Sequence, residues 1–577
     1  MLLFTLLLSL TIPTTTIAIP QSSSLIASPI PSLTPSLTPS PTCRCHPHLP
    51  CWPSPSEWTL LNATLNGKLI STTPLASICH TTPNHPPYNA SACQTLRADW
   101  PLPKTHYTSP SSPMAPWFNT ETCNPFLPPD APCTLGALPA YVVNATCADD
   151  YIQTINFART HNLRLVIRNT GHDYLGKSTG SGALALWTHH LKDMRVIRNY
   201  TSKVDLYTGP AIQFGAGIQV HEALTFAHHA SPTPFTLVAG NCQSVGLAGG
   251  YTQGGGHGQL ASMYGLAADQ VLEWEVVTAS GTLLTASRTE NEDLYWALCG
   301  GGGGVFGAVV SMTSKVYPDG GVVTANLTFR ADGGVPGEVF WGVVERLVSG
   351  FAAVGDVGGA AIWMLQGGEF GVTPVTVPGS WGQWNVTYSY HISPFPTFYS
   401  SYTTMNPLSN VTESQIGGRL IPRSTVNSKM RDLMRAFKQI AGYGAAISGV
   451  SLNVSRHAIP DNAVNPAWRE SAIDIVLGLP YNFTNRALDA ANQQLMTDVL
   501  LPFLEAITPD SGAYLNEADI HQPDWQGVFY GESYERLLAV KRKWDPEGLF
   551  YAKTGVGSEW WEEREGGRLC WVGMVGI

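Results

Sequence analysis

Hydrophobic and polar positions change rhythm near Leu138. From there short apolar runs, Ala140–Val143 and Leu163–Ile167, alternate with the amphipathic stretch Ala148–His161, which predicts strand–helix–strand layering. Glu292–Leu298 also reads as helix. Between Gly320 and Leu479, strand-like alternation surrounds two helical stretches near Val335–Gly350 and Asn427–Ala441, predicting a second, α+β layer. Further on, Leu537–Lys541 is amphipathic, and Asp545-Pro546-Glu547-Gly548 then stops a helix as Pro and Gly should. Residues 43–133 show little periodicity and much Pro and Cys, as in a stapled, loop-heavy lobe. Residues 19–42 are Ser/Pro/Thr-rich and predict a disordered leader open to O-glycosylation.

The start of the chain adds a compartment. Met1–Leu10 carries an apolar run, and Thr16-Ile17-Ala18 places small residues where a signal peptidase reads, so residues 1–18 are expected to be a signal peptide. Pro13 and the Thr run stop the stretch well short of the ~20 apolar residues of a membrane span. Sequons at Asn62, Asn89, Asn144, Asn199, Asn326, Asn385, Asn410, Asn453 and Asn482 predict N-glycans on an extracellular surface. Eight of the 11 cysteines lie between Cys43 and Cys147, leaving Cys242, Cys299 and Cys570 elsewhere. An even cluster in an exported chain implies disulfides, each contributing about 2–4 kcal/mol. The Cys43/Cys45/His46/His48 group offers metal-ligand residues, but exported thiols oxidise, and no metal site is expected. The net charge of −10 and the absence of basic runs argue against nucleic-acid or anionic-membrane partners.

Three stretches carry chemistry. Arg168-Asn169-Thr170-Gly171-His172-Asp173 follows the apolar strand, and a polar Gly-containing turn there gathers backbone N–H groups into an anion nest, with Arg168 adding charge. The span Cys242–Gly258 holds so many glycines that backbone can approach a large planar or phosphorylated ligand closely. Cys299 is followed by Gly300–Gly304. This last stretch contains a formal Gly-x-Gly-x-x-Gly at Gly302, Gly304 and Gly307. It is preceded by a helix rather than a strand, and no acid stands near Asn326, so it is not a Rossmann NAD site.

These motifs, with Gly265-Leu266-x-x-Asp269, Glu292–Ala297, Tyr514-Leu515-Asn516, Tyr534–Leu537 and Asp545-Pro546-x-x-Leu549-Phe550, resemble the FAD-linked oxidases of the vanillyl-alcohol-oxidase superfamily. The closer resemblance is to the berberine-bridge-enzyme-like branch, and within it to fungal isoamyl-alcohol-oxidase-like proteins. It runs from about Cys43 to Trp561. It implies an α+β fold: a two-lobed PCMH-type FAD-binding domain over 134–318, an inserted α+β substrate-binding domain over 319–510, and a C-terminal berberine-bridge-like segment over 511–560 that returns to the FAD domain.

The same resemblance implies bicovalent FAD, with His172 bonded to the 8α-methyl of the flavin and Cys242 to its carbon 6. Arg168, Asn169, Thr170, Gly171, Gly246, Gly249, Gly250, Tyr251, Gly255, Gly256, His257 and Val276 are expected around the cofactor. Val245 resembles the residue that admits oxygen, so O2 is the expected acceptor and peroxide the product. Gln243 departs from the Pro common after the cysteine, and Tyr251 stands near a position where plant enzymes have His. Tyr514 and Asn516 would share a face on a strand. For Tyr514 to act as base its pKa must fall by about 3 units, roughly 4 kcal/mol, which a nearby cation or the flavin environment must provide; otherwise a carboxylate such as Glu517 or Asp519, or one from the substrate-binding domain, does that work. The chain is therefore read as a secreted, monomeric FAD oxidase acting on an alcohol or activated C–H of a small molecule. The alternatives are a secondary-metabolite oxidoreductase performing cyclisation or desaturation, and a glycoprotein of the same fold without turnover. Trp363, Trp381, Trp384 and Tyr388 suit either a core or a substrate platform.

Overall fold

The computed structural model describes residues 43–83, 87–202, 207–331, 336–378, 390–406, 410–458 and 460–573. The expected signal peptide, the leader, Asn385, Trp381, Trp384 and Tyr388 lie outside them.

Three sheets organise the chain. The first has four strands in the order Leu69–Ser71, Tyr141–Asn144, Leu184–Trp187, Leu165–Arg168. Its last three strands run parallel, joined through the helix Ala148–Thr160, as the sequence pattern predicts. The second is a five-stranded antiparallel sheet in the order Met194–Thr201, Thr208–Gly215, Ala308–Lys315, Val271–Val277, Leu283–Ser287. The third has seven antiparallel strands between Val322 and Pro480. In Glu369–Pro378 burial alternates residue by residue, one side packing on the core and the other not. The helices Gly337–Asp356 and Met430–Gly442 bury Phe340, Val344, Val348, Leu433, Phe437 and Ile440 against that sheet. Trp363 is part of this core, its Nε1 donating to Ser451 Oγ at 3.1 Å, so it is no substrate platform.

The Cys-rich segment is less loop-like than its composition suggests. Ser54 caps the helix Pro55–Thr64 in a reciprocal arrangement with Glu57, and the strand Leu69–Ser71 joins the first sheet against Tyr141–Val143. Disulfides join Cys45–Cys51, Cys79–Cys93 and Cys123–Cys133. The fourth corrects the cluster picture: Cys43 pairs with Cys570, 527 residues away, and Cys147 is left as an exposed thiol at the start of a helix. The Cys43 and Cys45 sulfurs are thus committed to disulfides. Among the described residues no helix is long and apolar enough to cross a membrane. None of the eight described sequon asparagines is buried.

Candidate active site

A cavity of about 300 Å3 opens where four loops meet: 169–178, 242–251, 303–307 and 514–517. The first loop continues the strand Leu165–Arg168. Asn169 is anchored through Nδ2 to Ala216 O (2.8 Å), while its Oδ1 meets no partner. Gly171, at φ +86°, turns the chain so that His172 faces the cavity. The second loop is tied to the start of the helix Val220–His228, whose Val220 and His221 N–H groups donate to Val245 O (2.9 Å) and Gln243 O (3.0 Å). That anchorage holds Cys242 opposite His172: Sγ and Nε2 are 4.0 Å apart, and Ser244 Oγ lies 2.8 Å from the imidazole and 3.8 Å from the sulfur. Burial, with His106 and Arg168 adding to it, pushes the His172 pKa down to about 3, so its imidazole is neutral. Burial pushes the Cys242 thiol up, with hydrogen bonds from Ser244 opposing.

Glycine forms much of the remaining wall, and at two positions a side chain would collide. A Cβ on Gly246 would lie 2.0 Å from Asn169 Nδ2, and one on Gly303 would lie 2.8 Å from the Gly250 Cα. Within the formal Gly-x-Gly-x-x-Gly run it is Gly303 that packs backbone on backbone, and the run follows the helix Glu292–Leu298 rather than a strand. These walls suit a flat ring system. The 8α-methyl and carbon 6 belong to the same end of one ring, two ring carbons apart, so side chains bonded to both must come close together, as His172 and Cys242 do. FAD therefore fits the residues present.

The last segment supplies polar groups. Tyr514, Asn516 and Glu517 all line the cavity. They do not form a strand: Glu517 N donates to Tyr514 O (2.9 Å) in a turn, which still brings Asn516 Nδ2 to the Tyr514 hydroxyl (2.8 Å) and to Gly250 O (2.7 Å). Burial and the neighbouring Glu517 push the Tyr514 pKa upward, the opposite of what a base at neutral pH needs. Asp519 is turned away, accepting from Thr497 Oγ1 and from His521 N at 3.0 Å.

Thr170, Val245, Gly249, Gly250 and Tyr251 line the cavity. Arg168, Gly255, Gly256, His257 and Val276 do not. Arg168 is 1% exposed, and its Nη2 donates to the carbonyls of His106, Ser109 and Ser112. It fastens the Cys-rich segment beneath the loop instead of charging an anion nest. Gly256 packs on the Tyr251 ring, Gly255 stands nearest Val464, Leu266 and Tyr514, and Val276 sits behind Gly307 on its strand. His257 lies one layer behind the wall, its Nε2 3.2 Å from Glu517 Oε2. Lys177 is a lining residue that sequence reading missed: its Nζ donates to Leu515 O (3.3 Å). Sequence reading also missed Ser244, whose Oγ stands beside both His172 and Cys242 and which is hidden within a motif read for its cysteine and glycines.

The FAD binding domain family matches residues 139–287, and the berberine and berberine like family matches residues 513–557. An FAD-linked oxidoreductase of Hypocrea jecorina, sor8, is 44% identical, covering 92% of this chain and 93% of that protein. The bifunctional decalin synthase calF of Penicillium decumbens is 40% identical, covering 94% and 98%. The crystal structure of the VAO-type flavoprotein MtVAO615 from Myceliophthora thermophila C1 superposes with a TM-score of 0.87 at 38% identity, covering 92% of this chain and all of that one. The fold is the VAO/PCMH-type FAD-binding fold with a berberine-bridge-like segment, and the chain belongs to the FAD-linked oxidoreductases of the vanillyl-alcohol-oxidase superfamily, in the berberine-bridge-enzyme-like branch.

Proposed function

We propose that this oxidoreductase is a secreted, N-glycosylated, monomeric oxidase whose FAD is attached through both His172 and Cys242. It removes a hydride from an alcohol or activated C–H of a small organic molecule and passes the electrons to O2, giving H2O2. The observation that carries the reading is the 4.0 Å approach of the two side chains at one end of a glycine-walled cavity that Glu517 also lines. Bound there, FAD supplies the two-electron acceptor.

The chain's own residues do the rest. Glu517 takes the hydroxyl proton as the C–H hydrogen departs with its electron pair; the O–H pair becomes the second bond of the carbonyl. The Tyr514 phenol, oriented by Asn516 Nδ2, hydrogen-bonds the substrate oxygen. Val245 leaves room for O2. Four disulfides and sequons of which none described is buried support an exported protein. The similarity to a decalin synthase supports a second reading, in which the same hydride removal drives ring closure or desaturation of a secondary metabolite.

Peroxide release over a panel of alcohols, sugars and phenolics tests the proposal. A product with a new ring and equimolar peroxide selects the second reading. Reduction of a quinone dye without peroxide defeats the role given to Val245, and colourless protein made under flavinylating conditions defeats the attachment.

A further inference from the structure

Behind the cavity wall lies a group of titratable side chains that FAD attachment does not use. His257 follows Gly255 and Gly256, both at positive φ (+125° and +76°), and this turn directs its ring away from the cavity toward the seven-stranded sheet. There Nε2 stands 3.2 Å from Glu517 Oε2 and 3.5 Å from Asp474 Oδ2. Asp474 sits on the strand Ser471–Pro480 and is fully buried, in the otherwise apolar run Ala472-Ile473-Asp474-Ile475-Val476. Among the described residues no hydroxyl or backbone N–H reaches its oxygens. Trp468 and Tyr514 enclose the imidazole, with ring centroids 5.7 Å and 5.3 Å away.

An unsolvated carboxylate without donors is costly, and two carboxyl groups adjoining one imidazole cannot both stay charged cheaply. One arrangement that avoids two adjacent carboxylates gives His257 and Asp474 a proton each, at the cost of a buried His257 Nδ1–H without a partner among the described residues, and leaves the charge on Glu517, which lines the cavity. We propose that His257 and Asp474 are positioning residues for Glu517, clamping its Oε2 from behind so that Oε1 meets a substrate hydroxyl. This rests on the role given to Glu517 above. The titration behaviour agrees. Burial opposes the His257 imidazolium, but Glu517 chiefly outweighs it and raises the pKa to about 9, while burial and Glu517 hold Asp474 well above the usual carboxylate range. The other ionisable groups within reach of Glu517 are Tyr514, Tyr251, Tyr174 and Cys242, and burial pushes each upward, so each is neutral at pH 7.

The test uses the flavin-loaded protein with 15N-labelled histidine and needs neither substrate nor oxygen, so it can fail while the oxidase reading stands, and the reverse. In the wild type the His257 ring should be doubly protonated at neutral pH and titrate near 9. In Glu517→Gln the midpoint should fall below the ordinary ~6.5 of histidine, because burial then dominates. Infrared spectra at pH 7 should show a protonated-carboxyl stretch that disappears in Asp474→Asn. Because the Asn amide can still donate to Glu517, this variant should keep His257 protonated, whereas Asp474→Leu should not. A neutral His257 in the wild type at pH 7, or a carboxyl band that survives Asp474→Asn, overturns the proposal. So does stoichiometric zinc binding that removes the His257 N–H signal, since the three side-chain atoms lie within 4.8 Å of one another and would then be ligands. If Asp474→Leu does not fold, Glu517→Gln and Asp474→Asn decide the matter.

Discussion

The imidazole of His172 and the thiol of Cys242, 70 residues apart in sequence, face one cavity with Nε2 and Sγ 4.0 Å apart and Ser244 Oγ beside both. Neither residue sits on a regular element. The relationship is created by two anchors, the end of a parallel strand on one side and the first turn of the helix Val220–His228 on the other.

Two attachment points predict separable losses. Cys242→Ala should keep flavin through acid denaturation, held by His172, and the denatured band should become more fluorescent than that of the wild type. His172→Ala should keep it through sulfur. The double variant should release all flavin into the acid supernatant. In-gel fluorescence and the absorbance of that supernatant read the result. Flavin released from Cys242→Ala alone would contradict the assignment of His172.

Removing the proton acceptor should act on turnover. Glu517→Gln should lower kcat by about 10²–10⁴-fold. Tyr514→Phe, which removes one hydrogen bond worth about 1 kcal/mol, should cost roughly fivefold to tenfold. Peroxide release, or anaerobic bleaching of the flavin by the best substrate of the panel, measures both. The opposite order would return the base to Tyr514.

The buried imidazolium links stability to pH. Because folding raises the His257 pKa from 6.5 to about 9, its stabilising contribution is fully present below about pH 6.5 and is lost as pH rises through 9. The loss is on the order of 3 kcal/mol. Melting curves across that interval should show the wild type losing more Tm than His257→Asn.

A second buried pair serves the fold alone. Lys541 Nζ, in the helix Tyr534–Trp544, donates to Val305 O (2.7 Å), Phe550 O (2.7 Å) and Asp545 Oδ2 (2.6 Å). Asp545 in turn accepts from the backbone N–H of Leu549 and Phe550. Lys541→Met should destabilise by about 3–5 kcal/mol, since it leaves a buried carboxylate short of a partner. Denaturant unfolding measures this, and flavin attachment should be unchanged in protein that folds.

Local periodicity made the helices at 148–160, 292–298 and 534–544 legible, and composition located the glycine loops. Relationships across long separations were not. Arg168 follows a strand and precedes a phosphate-like turn, so its charge suggested an anion. The carbonyls that claim it belong to residues about 60 positions earlier, which no local pattern reveals. The strand expected at 514–516 is a turn, because Asn516 favours one and Glu517 N closes it. Asp474 was readable in principle: an acid in the middle of a buried apolar run has to be satisfied by something. The cysteine count misled because nearness in sequence was taken for nearness in space, and Cys43 found its partner at the other end of the fold.

That Cys43–Cys570 bond makes the polypeptide between them a covalent ring, with the two Cα atoms 3.8 Å apart. A single nick by an extracellular protease anywhere inside the ring opens it without releasing a fragment. Nicked enzyme should run as one species until thiol is added and split only then. The position of the opening is thus a free variable: a permuted gene that joins the neighbourhoods of 43 and 570 and begins at an exposed loop should still encode the same closed framework around the flavin.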